Sequence, residues 1–290
     1  MKKEIRFVLS ALFLPVISAF TAYVFRVLML WAQGELFEAW NLTEKTYPYA
    51  PVWARSIADA SYSIALAVGF IMAIGIGIPI LTRGCKWKKA SVRACVLSAV
   101  SGALAALALT GVLLLAGSVR MSPHRAPIQL ASALDLALDI LIAVFLAVSV
   151  RMGLYRAEKA AKSRQFRYIA YAYSGICQAV LWTGIYGFSW MAFVNHLLAG
   201  GMLMRLMEKT ENPLSEIIFV SLFTLVSRRV FGYPDWLTGV YPVSENWLTG
   251  GEIGLEGSGC LFIVLVIFIL SMIAVKTVDL KRFQAHRKDR

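Results

Sequence analysis

Long apolar runs free of charge alternate along this chain with short polar segments, and every second polar segment is crowded with Lys and Arg. About 20 apolar residues, at roughly 1.5 Å each, cross a hydrocarbon core of roughly 30 Å. The runs therefore predict membrane-spanning helices over 7–27, 57–82, 94–118, 128–150, 168–190 and 258–275. The fold class expected is all-α: one polytopic transmembrane helical bundle of six to eight spans, followed by a basic tail over 276–290. Lys2, Lys3 and Arg6 precede the first run as they would in a signal peptide, yet Ile17 and Phe20 stand where a cleavage site needs small residues. That run predicts an uncleaved anchor.

Residues 168–231 leave the count open. From Tyr168 to Met204 no residue is charged at neutral pH, a stretch of roughly 55 Å as continuous helix and too long for one span. A break is expected near Gly184–Trp190, where Trp182, Tyr186 and Trp190 would form an interfacial belt. Two short apolar pieces follow, 191–204 and 214–231, joined by the charged segment Arg205–Glu211. As a hairpin they make eight spans; as re-entrant or interfacial pieces they leave six. The hairpin sets Arg228 and Arg229 near the outer face, against the rule that positive charge stays inside.

Composition agrees with a membrane. Hydrophobic residues are 59% of the chain and charged residues 16%, against roughly 45–50% and about 25% in soluble domains. Net charge is +12, but the cations lie beside apolar runs with no groove-reading module around them, so nucleic acid is not expected as a partner. Of the 29 Lys and Arg, 20 fall before the first run, in 83–93, in 151–167 and in the tail. The facing loops 34–56 and 119–127 hold only Lys45, Arg55, Arg120 and Arg125. This asymmetry predicts both termini in the cytoplasm, of a bacterial inner membrane by loop style and size, with the basic segments lying on anionic headgroups.

Small residues recur every four positions in two spans: Ala65, Gly69, Ala73 and Gly77 in one, Ser98, Gly102, Ala106 and Thr110 in the next. Such ridges let backbones approach closely, which drives helix association in lipid. Joined by one short basic loop, the two ridges are expected to face each other.

Intramembrane charge carries the one chemical suggestion. Asp135 and Asp139 lie four apart on one face of the fourth run, near mid-depth. There an ionised carboxylate costs about 2.5–3.5 kcal/mol on insertion scales, and a stacked pair suits proton or cation binding. The structural alternative is that the two carboxyls bond neighbouring hydroxyls and only fix packing. Arg26 and Asp59 sit at similar depth and could form an interhelical ion pair, and His196 is a weak proton-relay candidate.

Other chemistry is thin. Cys85, Cys95, Cys177 and Cys260 form no C-x-x-C pattern, and no H-E-x-x-H or phosphate-binding loop occurs, so neither metal nor cofactor is expected. Ser258 lies among glycines, but no later span supplies a His to activate it. The outer segment 232–258 repeats Trp-Leu-Thr-Gly at 236–239 and 247–250 and is acidic. It is a candidate docking face for a second copy or for other membrane proteins. Two non-enzymatic functions follow: a small ion- or proton-coupled transporter or channel subunit using the Asp pair, or a membrane subunit of an envelope assembly such as a secretion or conjugation apparatus.

Overall fold

Local signals set most of the helix ends. The computed structural model describes residues 2–40, 46, 49, 52–82, 89–121, 130–230, 240–242, 258–267 and 269. Its helices are α1 (Lys2–Ala39), α2 (Val52–Asp59), α3 (Ser61–Thr82), α4 (Val92–Leu115), α5 (Leu130–Phe145), α6 (Met152–Ala161), α7 (Arg164–Tyr186), α8 (Trp190–Thr210) and α9 (Pro213–Thr224), with a further helical run, α10, over 259–267. The described chain is thus predominantly helical, in line with the all-α expectation.

The end of α4 shows how the stops work. Gly117 takes φ 65°, the left-handed conformation that only glycine adopts without strain. Its N–H then reaches the Leu114 carbonyl and the Ser118 N–H the Leu113 carbonyl, both at 3.0 Å, satisfying two orphan acceptors of the last turn. The long uncharged stretch breaks at Gly187, φ 103°, after which the Ser189 hydroxyl caps α8 by accepting from the Ala192 N–H. Asn212 caps α9 through the Leu214 N–H at 2.8 Å, and Pro213 occupies the first helical position, where its missing donor costs nothing. Two short strands were not expected: β1 (Val119–Met121) pairs antiparallel with β2 (Val240–Pro242), Arg120 opposite Tyr241.

α5 does not stop at the basic segment that the sequence pattern assigns to a loop. It runs through a π-helical turn, Leu146–Arg151, directly into α6, so residues 151–161 are helix and Arg151 is buried. A second π-helical turn, Leu225–Val230, extends α9.

Two helical stretches are long and apolar enough to cross a membrane, Val92–Leu115 and Leu134–Ala161, and this points to membrane association; Ser61–Gly75 and Pro213–Ser227 are apolar but shorter. The sidedness of α4 is unusual. It buries Ser98, Gly102, Ala106 and Thr110 while Val96, Val100, Leu104 and Leu107 are exposed, the reverse of a helix on a water-facing surface.

The small-residue ridges are contact faces, but they do not face each other, contrary to expectation. A Cβ placed on Gly69 would come 2.4 Å from the Ala22 carbonyl oxygen of α1, and one on Gly102 would come 2.4 Å from the Phe219 carbonyl oxygen of α9. Ala65 and Ala73 are buried beside Gly69, and Ser98, Ala106 and Thr110 beside Gly102. Gly77 belongs to α3, but its surroundings lie outside the described residues. A third close approach joins α7 to α8: a Cβ on Gly175 would lie 2.4 Å from the Leu197 carbonyl oxygen. The main core fills the space between α3, α5, α7 and α8, with Phe70 edge-on to Phe145 at 5.3 Å and Leu138, Ile142 and Met204 buried around them.

Candidate functional site

Asp135 and Asp139 share one face of α5, yet their carboxylates go to different helices. The Ser63 hydroxyl of α3 donates to Asp135 Oδ1, and the Tyr186 hydroxyl of α7 donates to Asp139 Oδ1. Asp139 is 1% exposed, whereas Asp135 is only partly buried. Both oxygens therefore have a hydroxyl donor, as a buried carboxylate requires.

The Tyr186 ring extends this site towards α8. It stacks on Trp182 at 4.9 Å, and Trp182 stacks on His196 at 5.2 Å with the ring planes 5° apart. His196 is thus joined to Asp139 through two aromatic rings. Beside it, Asn195 Nδ2 donates to the Ser258 carbonyl at 2.9 Å, tying α8 to the start of α10.

The Arg26 guanidinium lies over the Tyr62 ring, 4.7 Å from its centre, a cation–π contact. The Asp59 side chain, proposed above as its partner, lies outside the described residues.

The sequence pattern missed the most deeply buried charges. Arg151, delivered by the π-helical turn, is 1% exposed and Glu216 of α9 is 0% exposed. Arg151 Nη1 donates to Glu216 Oε1, Nη2 to Gln178 Oε1, and Nε to Ser174 Oγ at 3.0 Å. Ser174 Oγ in turn donates to the Gly200 carbonyl at 2.8 Å, an approach that the adjacent Gly175–Gly200 contact permits. One guanidinium therefore joins the α5–α6 junction to α7 and α9, and through Ser174 to α8. Arg151 was counted with loop cations because a basic residue after an apolar run marks a membrane boundary on average. The available clue was Glu216, a lone acid within an apolar helix that needs a buried partner.

A second ionic cluster joins the ends of α6, α7 and α8. Arg167 Nε lies 2.5 Å from Glu158 Oε1 and 3.4 Å from Glu208 Oε1. Glu208 Oε2 accepts from the Tyr171 hydroxyl at 2.6 Å and from Arg205 Nη1. Lys159 pairs with Glu211 at 2.9 Å and lies over the Tyr155 ring.

Among the described residues no three His, Cys, Asp or Glu side chains are placed to hold a metal ion together. No protein-family model, curated protein or solved structure matches the chain.

Proposed function

We propose that this chain is a polytopic inner-membrane protein that binds a proton or small cation at Asp139 and Asp135, as a small transporter or channel subunit without enzymatic activity. The observation that carries the proposal is Asp139, a carboxylate 1% exposed within a long apolar helix and bonded by the Tyr186 hydroxyl. Such a group is expensive to keep unless it binds something or locks packing.

Lipid contact is supported by α4, where Val96, Val100, Leu104 and Leu107 are exposed while Ser98, Ala106 and Thr110 are buried together with Leu109 and Leu113. An eight-span arrangement is supported by the helical stretches themselves. Leaving the short α2 aside, α1, α3, α4, the continuous α5–α6, α7, α8, α9 with its π-helical turn, and α10 give eight among the described residues. With both termini cytoplasmic, the basic segments meet anionic headgroups on that side.

A non-enzymatic subunit of an envelope assembly is the second possibility. It is favoured by the hydroxyl partner that each carboxylate already has on a neighbouring helix, the geometry of a packing lock. Its docking segment, 232–258, lies outside the described residues except for 240–242 and Ser258.

One comparison separates the two. Protein reconstituted in liposomes with a trapped pH-sensitive dye is compared with Asp135→Asn and Asp139→Asn, each checked for folding. Loss of proton or cation flux in a folded Asn variant supports the transport proposal. Wild-type flux through both Asn variants, or stoichiometric co-purification with other envelope proteins and no flux, supports the assembly role instead.

A further inference from the structure

We propose that Glu158 and Glu208 hold one proton between them, forming a proton-binding carboxyl pair at the basic end of the bundle. The site stands independently of the transport proposal, since it shares no residue with Asp135 and Asp139.

The four carboxyl oxygens of the pair are unequally hydrogen-bonded. Glu158 Oε1 is taken by Arg167, and Glu208 Oε2 by Tyr171 and Arg205. Glu158 Oε2 and Glu208 Oε1 are both buried and have no hydrogen-bond donor among the described residues. Arg167 approaches Glu208 Oε1 only to 3.4 Å. The two side chains are 9% and 8% exposed, so water cannot readily serve both oxygens. Both carboxyl groups converge on the same Arg167 Nε, 2.5 Å from Glu158 Oε1 and 3.4 Å from Glu208 Oε1.

Two ionised carboxylates can only accept, so facing each other they repel and leave two buried acceptors unmet. One proton repairs both faults: bound to Glu158, it turns an acceptor into a donor aimed at Glu208. The groups around the pair agree with this division. Glu208 accepts from Tyr171 and Arg205 and stays ionised, while Glu158 accepts from Arg167 alone and is the one to take the proton. From α7 the facing groups are Arg167 and Tyr171, and from α8 Arg205; α1 also packs on α6, and the side chains of residues 2–15 lie outside the described ones. A pair of acids whose surroundings push them apart in this way is a proton-holding arrangement.

The consequence is mechanical. Glu158 is on α6 and Glu208 on α8, and Lys159–Glu211 bridges the same two helices one step away. With the proton bound, the carboxyl pair is a second bridge; without it, the pair pushes the helices apart.

The test is a pH titration of the full-length protein in lipid nanodiscs with 13C-labelled glutamate, read by infrared or magnetic-resonance signals of the carboxyl carbon. A protonated glutamic acid signal is expected to persist above the ordinary glutamate range. It is expected to vanish in Glu158→Gln, whose carboxamide N–H replaces the proton and preserves the fold. It is expected to survive in Asp135→Asn and Asp139→Asn. Glu208→Gln provides a second check, because removing the facing charge is expected to lower the Glu158 titration towards the ordinary value. Absence of such a signal in the wild type, or its persistence unchanged in Glu158→Gln, overturns the proposal.

Discussion

Arg151 and Glu216, 65 residues apart in the chain, form an ion pair in which neither side chain reaches the surface. Taking both charges out of a polar medium is costly, and the guanidinium recovers part of that through Gln178 and Ser174. The pair consequently registers four helices against each other more than it adds net stability.

Removing one partner should therefore be far worse than removing both. Arg151→Met is expected to destabilise the fold by about 3–5 kcal/mol, because Glu216 is left as a lone buried charge. The double variant Arg151→Met, Glu216→Leu should recover most of that loss. Denaturant unfolding in mild detergent measures both, and a double variant no more stable than the single one would contradict this account.

The Tyr186 hydroxyl donates to Asp139. Tyr186→Phe keeps the ring that stacks on Trp182 and deletes only the hydroxyl, leaving a buried acceptor short of a bond. A loss of about 1–3 kcal/mol in unfolding free energy is expected. If Asp139 binds the transported ion, the same variant should also shift the pH dependence of flux. Stability unchanged within about 0.5 kcal/mol would mean that the hydroxyl is not needed.

Two glycines on α4 offer a control against each other. Gly102→Ala would put a methyl group 2.4 Å from the Phe219 carbonyl oxygen, whereas nothing lies within 4 Å of a methyl group at Gly111. The first substitution should push α4 off α9 and cost about 1–3 kcal/mol. The second should be neutral or stabilise by up to about 1 kcal/mol through helix propensity. Thermal unfolding of the two variants side by side decides it, and equal effects would show that the α4–α9 contact is looser than drawn here.

The caps at Gly117 and at Asn212–Pro213 are local, but the apolar pattern does not mark them. The break near Gly187 was legible because its cause is local, a glycine within an uncharged stretch too long for one span. The same holds for the small-residue ridges: spacing alone marks Gly69 and Gly102 as sites of close approach. Their partners were not legible. A ridge states how near a backbone can come but not whose, and adjacency in the chain wrongly suggested that α3 and α4 face each other.

The carboxylates divide along the same line. Asp135 and Asp139 stand out in the sequence because a charge in an apolar run is costly wherever the run ends up. That Ser63 receives one and Tyr186 the other depends on which helices flank α5. Arg151 went unnoticed because its burial arises from a helix continuing through a π-helical turn, and Glu158 and Glu208 because each resembles an ordinary acid near a helix end. The sequence by itself determined the apolar runs, the break near Gly187 and the positions where charge is expensive, all properties of a few neighbouring residues. Only the tertiary structure decided which ridge meets which backbone and which charges share a partner, because those pairings link residues tens of positions apart and are chosen by the packing of the whole bundle.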